Sequence, residues 1–242
     1  MLQRHPWTVF LLPFVVFMLC GSLEPTPTMP GGRMIGLALP YADYPWVYTA
    51  KIVLTLATML ALMPGYRRFP FRVGLLGPVL GVVGVAVWVG ICRLQWEERF
   101  LAPLGLGPLL GLGARSAFNP LEQLRDHVAW VWIFLAIRFV GLVVVVPVIE
   151  EFFLRGFVMR WVMDSHWWDV PFGKVNVAAV VAGTLVPMLM HPHELLAAAV
   201  WFSLMTWLMV TTKNIWDCVA AHAVTNLLLG IYVVASGQWQ LM

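Results

Sequence analysis

The chain alternates long apolar runs with short polar connections, and this pattern predicts seven membrane-spanning helices. A helix needs about 20 mostly apolar residues to cross a hydrocarbon core about 30 Å thick. Residues 73–92 reach this length without a charged side chain. The predicted spans are 6–23, 46–64, 73–92, 130–158, 174–191, 195–212 and 215–237. An additional half-span within residues 100–113 would bring the number to eight.

The first run has a second interpretation, as a cleaved signal peptide, because Arg4 precedes it. However, Leu19 stands before Cys20, where the cleavage site of a lipoprotein has a small residue. Trp7 lies at the edge of the run, and tryptophan is enriched where helices meet the membrane surface. These flanks favour a retained membrane helix.

The composition is that of a membrane protein. Hydrophobic residues make up 61% of the 242 positions and charged residues 11%, whereas soluble domains carry about a quarter charged residues. The formal net charge of +3 is modest and the basic residues lie beside helix ends, so we expect no nucleic-acid partner. The expected fold class is all-α, a polytopic helix bundle of about seven to eight transmembrane helices in a lipid bilayer.

Polar residues in the first half are predicted to serve packing or to face solvent. Lys51 lies near enough to the end of its helix to extend its amine to the membrane surface. Arg93 and Arg99 flank Glu97 and Glu98, so we expect exposed loop charges, with function unaffected by Glu97→Gln. Glycines in the third run are spaced for close helix packing: Gly74, Gly77, Gly81 and Gly84.

An acidic pair lies in the fourth run, at Glu150 and Glu151, and Arg155 follows four residues after the second acid. An ionisable residue within a membrane costs about 2.5–3.5 kcal/mol on insertion scales, and by default it faces a cavity, a partner or a functional path. On a helix, Glu151 and Arg155 share a face, whereas Glu150 points about 100° away. Glu150 is therefore a candidate general base. The alternative is a purely structural salt bridge.

Histidines mark the fifth and seventh runs. His191 ends the fifth run, and His193 and Glu194 occupy the turn beyond it. His222 and Asn226 lie four residues apart, so they share one face of an otherwise apolar helix. An interfacial position is the alternative for His191. Polar contacts between helices are the alternative for the second pair, because each polar group needs a hydrogen-bond partner in lipid.

Three other residues are predicted to shape the second half rather than to react. Arg138 lies 12 residues before Glu150, about 18 Å along a helix. Asp217 lies in the first turn of its helix, where the dipole favours an acid. Pro147 removes a backbone donor, so it is expected to kink the fourth helix and open space for water or an extended substrate.

The motifs "IEEFFLRG" and "HAVTN", with a histidine between them, resemble the three motifs of the CPBP group. This group comprises intramembrane glutamic endopeptidases and includes the CAAX prenyl endopeptidases. Its pattern is a glutamate pair followed by arginine, then FxxxH, then HxxxN. Here Pro187 occupies the aromatic position for His191, and Leu189 occupies it for His193. Either histidine is thus a candidate, and the run "HPHELLAAAVWFSLMTWL" favours His191.

The resemblance covers about residues 130–236 and implies a catalytic core in the second half. We expect one integrated membrane domain. Residues 1–127 would form its N-terminal membrane helices and an interfacial loop, and residues 128–242 its catalytic-motif helices. The layout also resembles the CAAX-protease-related proteins found beside bacterial exopolysaccharide and protein-sorting systems. This resemblance implies the inner (plasma) membrane of a bacterium as the location.

The resemblance implies a membrane endopeptidase of the glutamic type, with no cofactor and no metal. Its substrate would be a membrane-associated protein or peptide: a prenylated C-terminus, a leader peptide or a transmembrane sorting tail. Glu150, helped by His191, would hold and deprotonate a water molecule. Glu151 with Arg155 would orient the helix end. The side chains of His222 and Asn226 would donate hydrogen bonds to the developing oxyanion.

Two other functional classes compete with this interpretation. A zinc endopeptidase would use His191, His222 and Glu150 as ligands, although the sequence lacks the helical HExxH spacing. A protein of the same fold without catalytic activity would be a membrane scaffold or a proton-linked carrier. Many carriers have internal repeats, and none is visible in this sequence.

Overall fold

The computed structural model describes residues 7–32, 35–107 and 117–241, and over these residues it is helical without a β-strand. Its longer helices, named in chain order, are α1 (Thr8–Gly21), α2 (Tyr44–Ala61), α3 (Leu76–Cys92), α4 (Val128–Trp161), α5 (Val177–Met190), α6 (Leu195–Thr212) and α7 (Ile215–Ser236). Each predicted span overlaps one of these helices, and the all-α membrane fold is confirmed. The start of the first predicted span and residues 108–113 of the predicted half-span lie outside the described residues.

Among the described residues, four helical runs are long and apolar enough to cross a membrane. They are Leu76–Leu104, Val128–Trp161, Leu195–Thr212 and Ile215–Ser236. The apolar helices α1 and α5 are shorter, with 14 residues each. The chain is thus an integral membrane protein by the length and composition of its helices.

Helix α4 contains two wide, π-type segments, Gly141–Val145 and Phe152–Val158. The sequence predicts a kink at Pro147, which lacks a backbone N–H group. That missing donor would bond the carbonyl of Val143, which lies inside the first wide segment. The second wide segment begins directly after Glu151. Such segments interrupt regular helical bonding and are frequent at functional sites.

The chain divides into two compact units, and the first comprises the described parts of 1–69, 116–149 and 230–242. Arg138 is buried here, donates a hydrogen bond to the carbonyl of Phe118 at 2.9 Å and lies over the ring of Tyr48. This position agrees with the expected structural role of Arg138. Lys51 is buried, and its amine forms an ion pair with Glu24 that the sequence analysis did not predict.

The second unit comprises the described parts of 70–115 and residues 150–229. Within it, Gly77 and Gly81 of α3 lie against α7, as their spacing predicts. A Cβ atom on Gly81 would lie 2.6 Å from the carbonyl oxygen of Ala221. Thr225 donates a hydrogen bond to the carbonyl of Gly81 at 3.0 Å, and the backbone N–H of Gly74 donates to Asp217 at 2.6 Å. These contacts fix the position of α7 along α3.

Candidate active site in the second unit

Glu151 and Arg155 form a buried ion pair in the candidate site. Nη1 of Arg155 lies 2.7 Å from Oε2 of Glu151, and both side chains have 0% exposure. Arg155 also donates to the carbonyl of Phe202 at 3.4 Å, and its guanidinium carbon lies 5.6 Å from the centre of that ring. The predicted pairing of Glu151 with Arg155 is thus present. Arg155 thus links α4, which carries both charged residues, to α6, which carries Phe202.

His222 lies between the two glutamates. Its Nδ1 atom is 2.9 Å from Oε1 of Glu151, and its Nε2 atom is 4.0 Å from Oε2 of Glu150. The first distance is a hydrogen bond, while the second exceeds hydrogen-bond length. Assigning the shared proton to Nδ1 lets His222 donate to Glu151 and directs the Nε2 lone pair towards Glu150. Glu150 is partly open, with 13% of its side chain exposed.

The site lies well inside the helices that carry it. Glu151 precedes the end of α4 by ten residues, and His222 follows the start of α7 by seven. These separations correspond to about 15 Å and about 10 Å along the helix axes. Polar groups placed this far inside a membrane-spanning helix need protein partners.

His191 caps the C-terminal end of α5 and is half-buried. Its Nδ1 atom lies 2.8 Å from the carbonyl oxygen of Pro187. Its ring packs against Trp88 at a centroid distance of 5.6 Å and against Phe202 at 5.6 Å. The aromatic neighbours of His191 thus come from α3 and α6, while Pro187 occupies the aromatic position of the family motif.

Phe202 connects the separate parts of the site. Besides Arg155 and His191, its ring contacts the ring of His222, with the centroids 6.3 Å apart. The sequence analysis missed Phe202, since nothing distinguishes it from other aromatic residues of the apolar run. Trp88 was missed as well, although it continues the glycine stripe of α3 four residues after Gly84.

Asn226 lies one turn after His222 on α7 and is half-buried. His193 is half-buried in the turn after α5. The structure therefore brings together Glu150, Glu151, Arg155 and His222 by direct contacts. His191 joins this group through Phe202.

Glu97 contradicts the expectation of an exposed loop charge. It is 5% exposed, and its Oε1 atom accepts a hydrogen bond from the backbone N–H of Leu196 at 2.8 Å. Glu98, the next residue, is exposed. The flanking arginines suggested a solvated segment. Instead, the chain after α3 turns back into the protein in a wide helical segment, Glu97–Leu101.

The expected zinc alternative has its own geometric test. In the described ranges, no group of three or more His, Cys, Asp or Glu side chains is arranged to hold a metal ion. The three residues proposed as ligands, His191, His222 and Glu150, therefore do not form a ready metal centre. A catalytic zinc site usually has three protein ligands that converge on one point.

Comparison with known families covers the segment that carries the candidate site. Residues 130–228 match the family model described as type II CAAX prenyl endopeptidase, Rce1-like. The matched segment includes every residue from Glu150 to Asn226. No curated protein and no solved structure matches the chain.

Proposed function

We propose, from the membership of residues 130–228 in the Rce1-like family of type II CAAX prenyl endopeptidases, that Glu150 activates water for peptide hydrolysis. At the level of the family, the chain is a CAAX-type intramembrane protease. Its partners are accordingly a lipid bilayer and a peptide substrate. We expect a membrane-anchored protein or peptide as the substrate and the inner membrane of a bacterium as the location.

The observation that carries this proposal is the position of His222 between two different carboxylates. Glu151 is fully buried and contacts Arg155, so it is suited to remain ionised and to orient the imidazole. Glu150 is partly open and lies 4.0 Å from Nε2 of the same ring. A separation of this size suits two groups that hold one water molecule between them. Two acceptors on one water leave its oxygen lone pairs free to attack.

The reaction follows from this arrangement. Glu150 removes a proton from the water as its oxygen bonds to the substrate carbonyl carbon. The carbonyl oxygen becomes an oxyanion, which the amide group of Asn226 stabilises by donating a hydrogen bond. When the carbon–nitrogen bond breaks, Glu150 returns the proton to the leaving amine. The carboxylate of Glu150 is thereby regenerated.

The two histidines take different roles in this proposal. With Nδ1–H donated to the carbonyl of Pro187, His191 presents Nε2 as an acceptor that helps to hold the water or an N–H group of the substrate. His222 faces Glu150 directly, so it assumes the water-holding role that the sequence analysis gave to His191. With its proton on Nδ1, His222 has no N–H group left to donate to the oxyanion, so in this proposal Asn226 alone serves as the oxyanion donor.

Mass spectrometry of membrane peptides tests the function. Cells that carry the wild-type protein are compared with cells that carry Glu150→Gln, which preserves side-chain size but removes the base. Peptides with new termini in the wild-type cells, accompanied by uncleaved precursors in the variant cells, would identify the substrate class. Identical peptide profiles at equal protein levels would remove Glu150 as the base.

A further inference from the structure

Glu97 is a buried acid with no place in the proposed reaction. It lies in unit two, nine residues after Trp88, and accepts a hydrogen bond from a residue 99 positions away in sequence. A buried carboxylate needs a strong hydrogen-bond or ionic partner, because burying a charge in a membrane protein is unfavourable. Its partner is the backbone N–H of Leu196, the second residue of α6.

The start of α6 is a place where a carboxylate stabilises structure. The first backbone N–H groups of a helix have no acceptor within the helix, and the helix dipole gives this end partial positive charge. A hydrogen bond between an ionised acceptor and such a donor is about twice as strong as a neutral one. Glu97 thus acts as a helix cap supplied from a distant part of the chain.

The anchored turn is the one that carries His191. Four residues, 191–194, connect α5 to α6, and the N–H of Glu194 bonds to the carbonyl of His191 at 3.0 Å. The same stretch of chain that supplies Glu97 also supplies Trp88, which packs against the His191 ring. The turn is therefore held on two sides, by a ring contact and by a hydrogen bond.

We infer that Glu97 is a positioning residue, whose carboxylate sets the placement of His191 and, through α6, of Phe202. This inference rests on the proposed function. Phe202 lies six residues after Leu196 on the same helix and contacts His191, His222 and Arg155. A small slide or rotation of α6 would move the ring that lies between both histidines. Misplacement of reacting groups by about 1 Å can lower a rate by about 100-fold.

Two substitutions separate the hydrogen bond from the bulk of the side chain. Glu97→Met keeps the length of the side chain but has no strong acceptor, whereas Glu97→Gln keeps the acceptor oxygen. Glu98→Gln is the matched control, because Glu98 is adjacent and exposed. Thermal unfolding in the same detergent verifies that each purified protein is folded.

Hydrogen–deuterium exchange tests the anchor without any substrate. We expect the amide of Leu196 to exchange about 10-fold faster or more in Glu97→Met, as for a lost charge-assisted hydrogen bond. Exchange in Glu97→Gln should stay near the wild-type rate, and Glu98→Gln should match the wild type. Unchanged exchange at residues 191–196 in Glu97→Met would overturn the inference.

Cleavage rates test the positioning. The probe is a quenched fluorescent peptide that spans the bond cut in wild-type but not in Glu150→Gln cells. We expect kcat to fall about 10- to 100-fold in Glu97→Met and to stay within about threefold of wild type in Glu97→Gln. Trp88→Leu combined with Glu97→Met should lose less than the product of the two single losses, since both act on one turn.

The outcomes distinguish this inference from the proposed function. Suppose that the wild-type protein cleaves the probe. If Glu97→Met then retains full kcat, or if Glu97→Gln does not restore kcat, the positioning role alone is contradicted. Multiplicative losses in the double variant contradict it too. If Glu97→Met is too unstable to purify, Glu97→Asp replaces it, because its shorter side chain withdraws the acceptor. Peptide profiles that do not differ between wild-type and Glu150→Gln cells contradict the proposed function instead, and hydrogen–deuterium exchange then still tests the anchor.

Discussion

Nδ1 of His222 lies 2.9 Å from Oε1 of Glu151, and the two residues are 71 positions apart in the sequence. This contact ties α7 to α4 at the level of the site. The other oxygen of Glu151 faces Arg155 at 2.7 Å, so a single carboxylate holds both a cation and an imidazole. Glu151 is thus built into the packing of the second unit, whereas Glu150 lies at its partly open edge. The adjacent acids are expected to respond differently to the same substitution.

Glu151→Gln should reduce both stability and activity. The substitution leaves the buried guanidinium of Arg155 without its counter-charge, a change that costs about 3–5 kcal/mol in comparable buried pairs. It also removes the charge that orients His222. The free energy of unfolding in detergent, measured together with cleavage of the cellular substrate, provides the check.

Glu150→Gln is the matched comparison, since it makes the same chemical change one residue earlier. We expect the free energy of unfolding to change by less than about 1 kcal/mol, because the side chain is partly open and lies 4.0 Å from the imidazole of His222, beyond hydrogen-bond length. Cleavage should become undetectable, since general-base catalysis contributes about 10²–10⁴-fold to such rates. Equal destabilisation by the two substitutions would contradict the division of roles between the acids.

Arg155→Met should be less harmful when combined with Glu151→Gln than when made alone. Each single substitution leaves one buried charge unpaired, whereas the double substitution removes both charges. We expect the double variant to recover at least about 1 kcal/mol relative to the sum of the two single losses. Cleavage should stay low, because the imidazole of His222 has lost its orienting charge. Strict additivity of the unfolding free energies would show that the ion pair contributes little.

The sequence analysis anticipated the resemblance to the CAAX prenyl endopeptidases, the all-helical membrane fold and the ion pair between Glu151 and Arg155. These features depend on local signals: apolar run length, motif spacing and the four-residue periodicity of helices. The resemblance to the CAAX prenyl endopeptidases is supported by the match over residues 130–228. The catalytic roles of the predicted site residues, the substrate class and the division of the domain at residue 127 stay predictions.

The contacts that the sequence analysis missed depend on which helix faces which. Glu97 and Leu196 are 99 residues apart, and only the packed fold brings the acid to the start of α6. Local charge suggested a solvated loop for Glu97, and tertiary structure overrode that signal. The ion pair of Lys51 was missed for a similar reason, since its partner Glu24 lies in a preceding segment. For Phe202, composition carries no signal, because one aromatic residue in an apolar run resembles any other.

Chelators should leave cleavage unchanged. The proposed reaction uses a carboxylate base and a hydrogen-bonded water, and the described residues do not assemble three ligands around one point. We expect equal cleavage rates before and after treatment with 1,10-phenanthroline, and no stoichiometric zinc in the purified protein by metal analysis. Zinc that is lost together with activity and restores activity when added back would favour the metal alternative.

Gly81→Ala should weaken both the fold and the reaction. The added Cβ atom would lie 2.6 Å from the carbonyl oxygen of Ala221, which directly precedes His222, so backbone must move to admit it. Overpacking of this kind costs about 1–3 kcal/mol, and the shift of α7 should move the imidazole away from Glu150.

Gly90→Ala in the same helix is the control, because its Cβ atom has no neighbour within 4 Å among the described residues. Gly90→Ala should leave the cleavage rate unchanged and should leave the thermal midpoint unchanged or raise it slightly. The measurements are the thermal midpoint in detergent and the cleavage rate, and equal behaviour of the two variants would mean that close packing of α3 on α7 does not set the site.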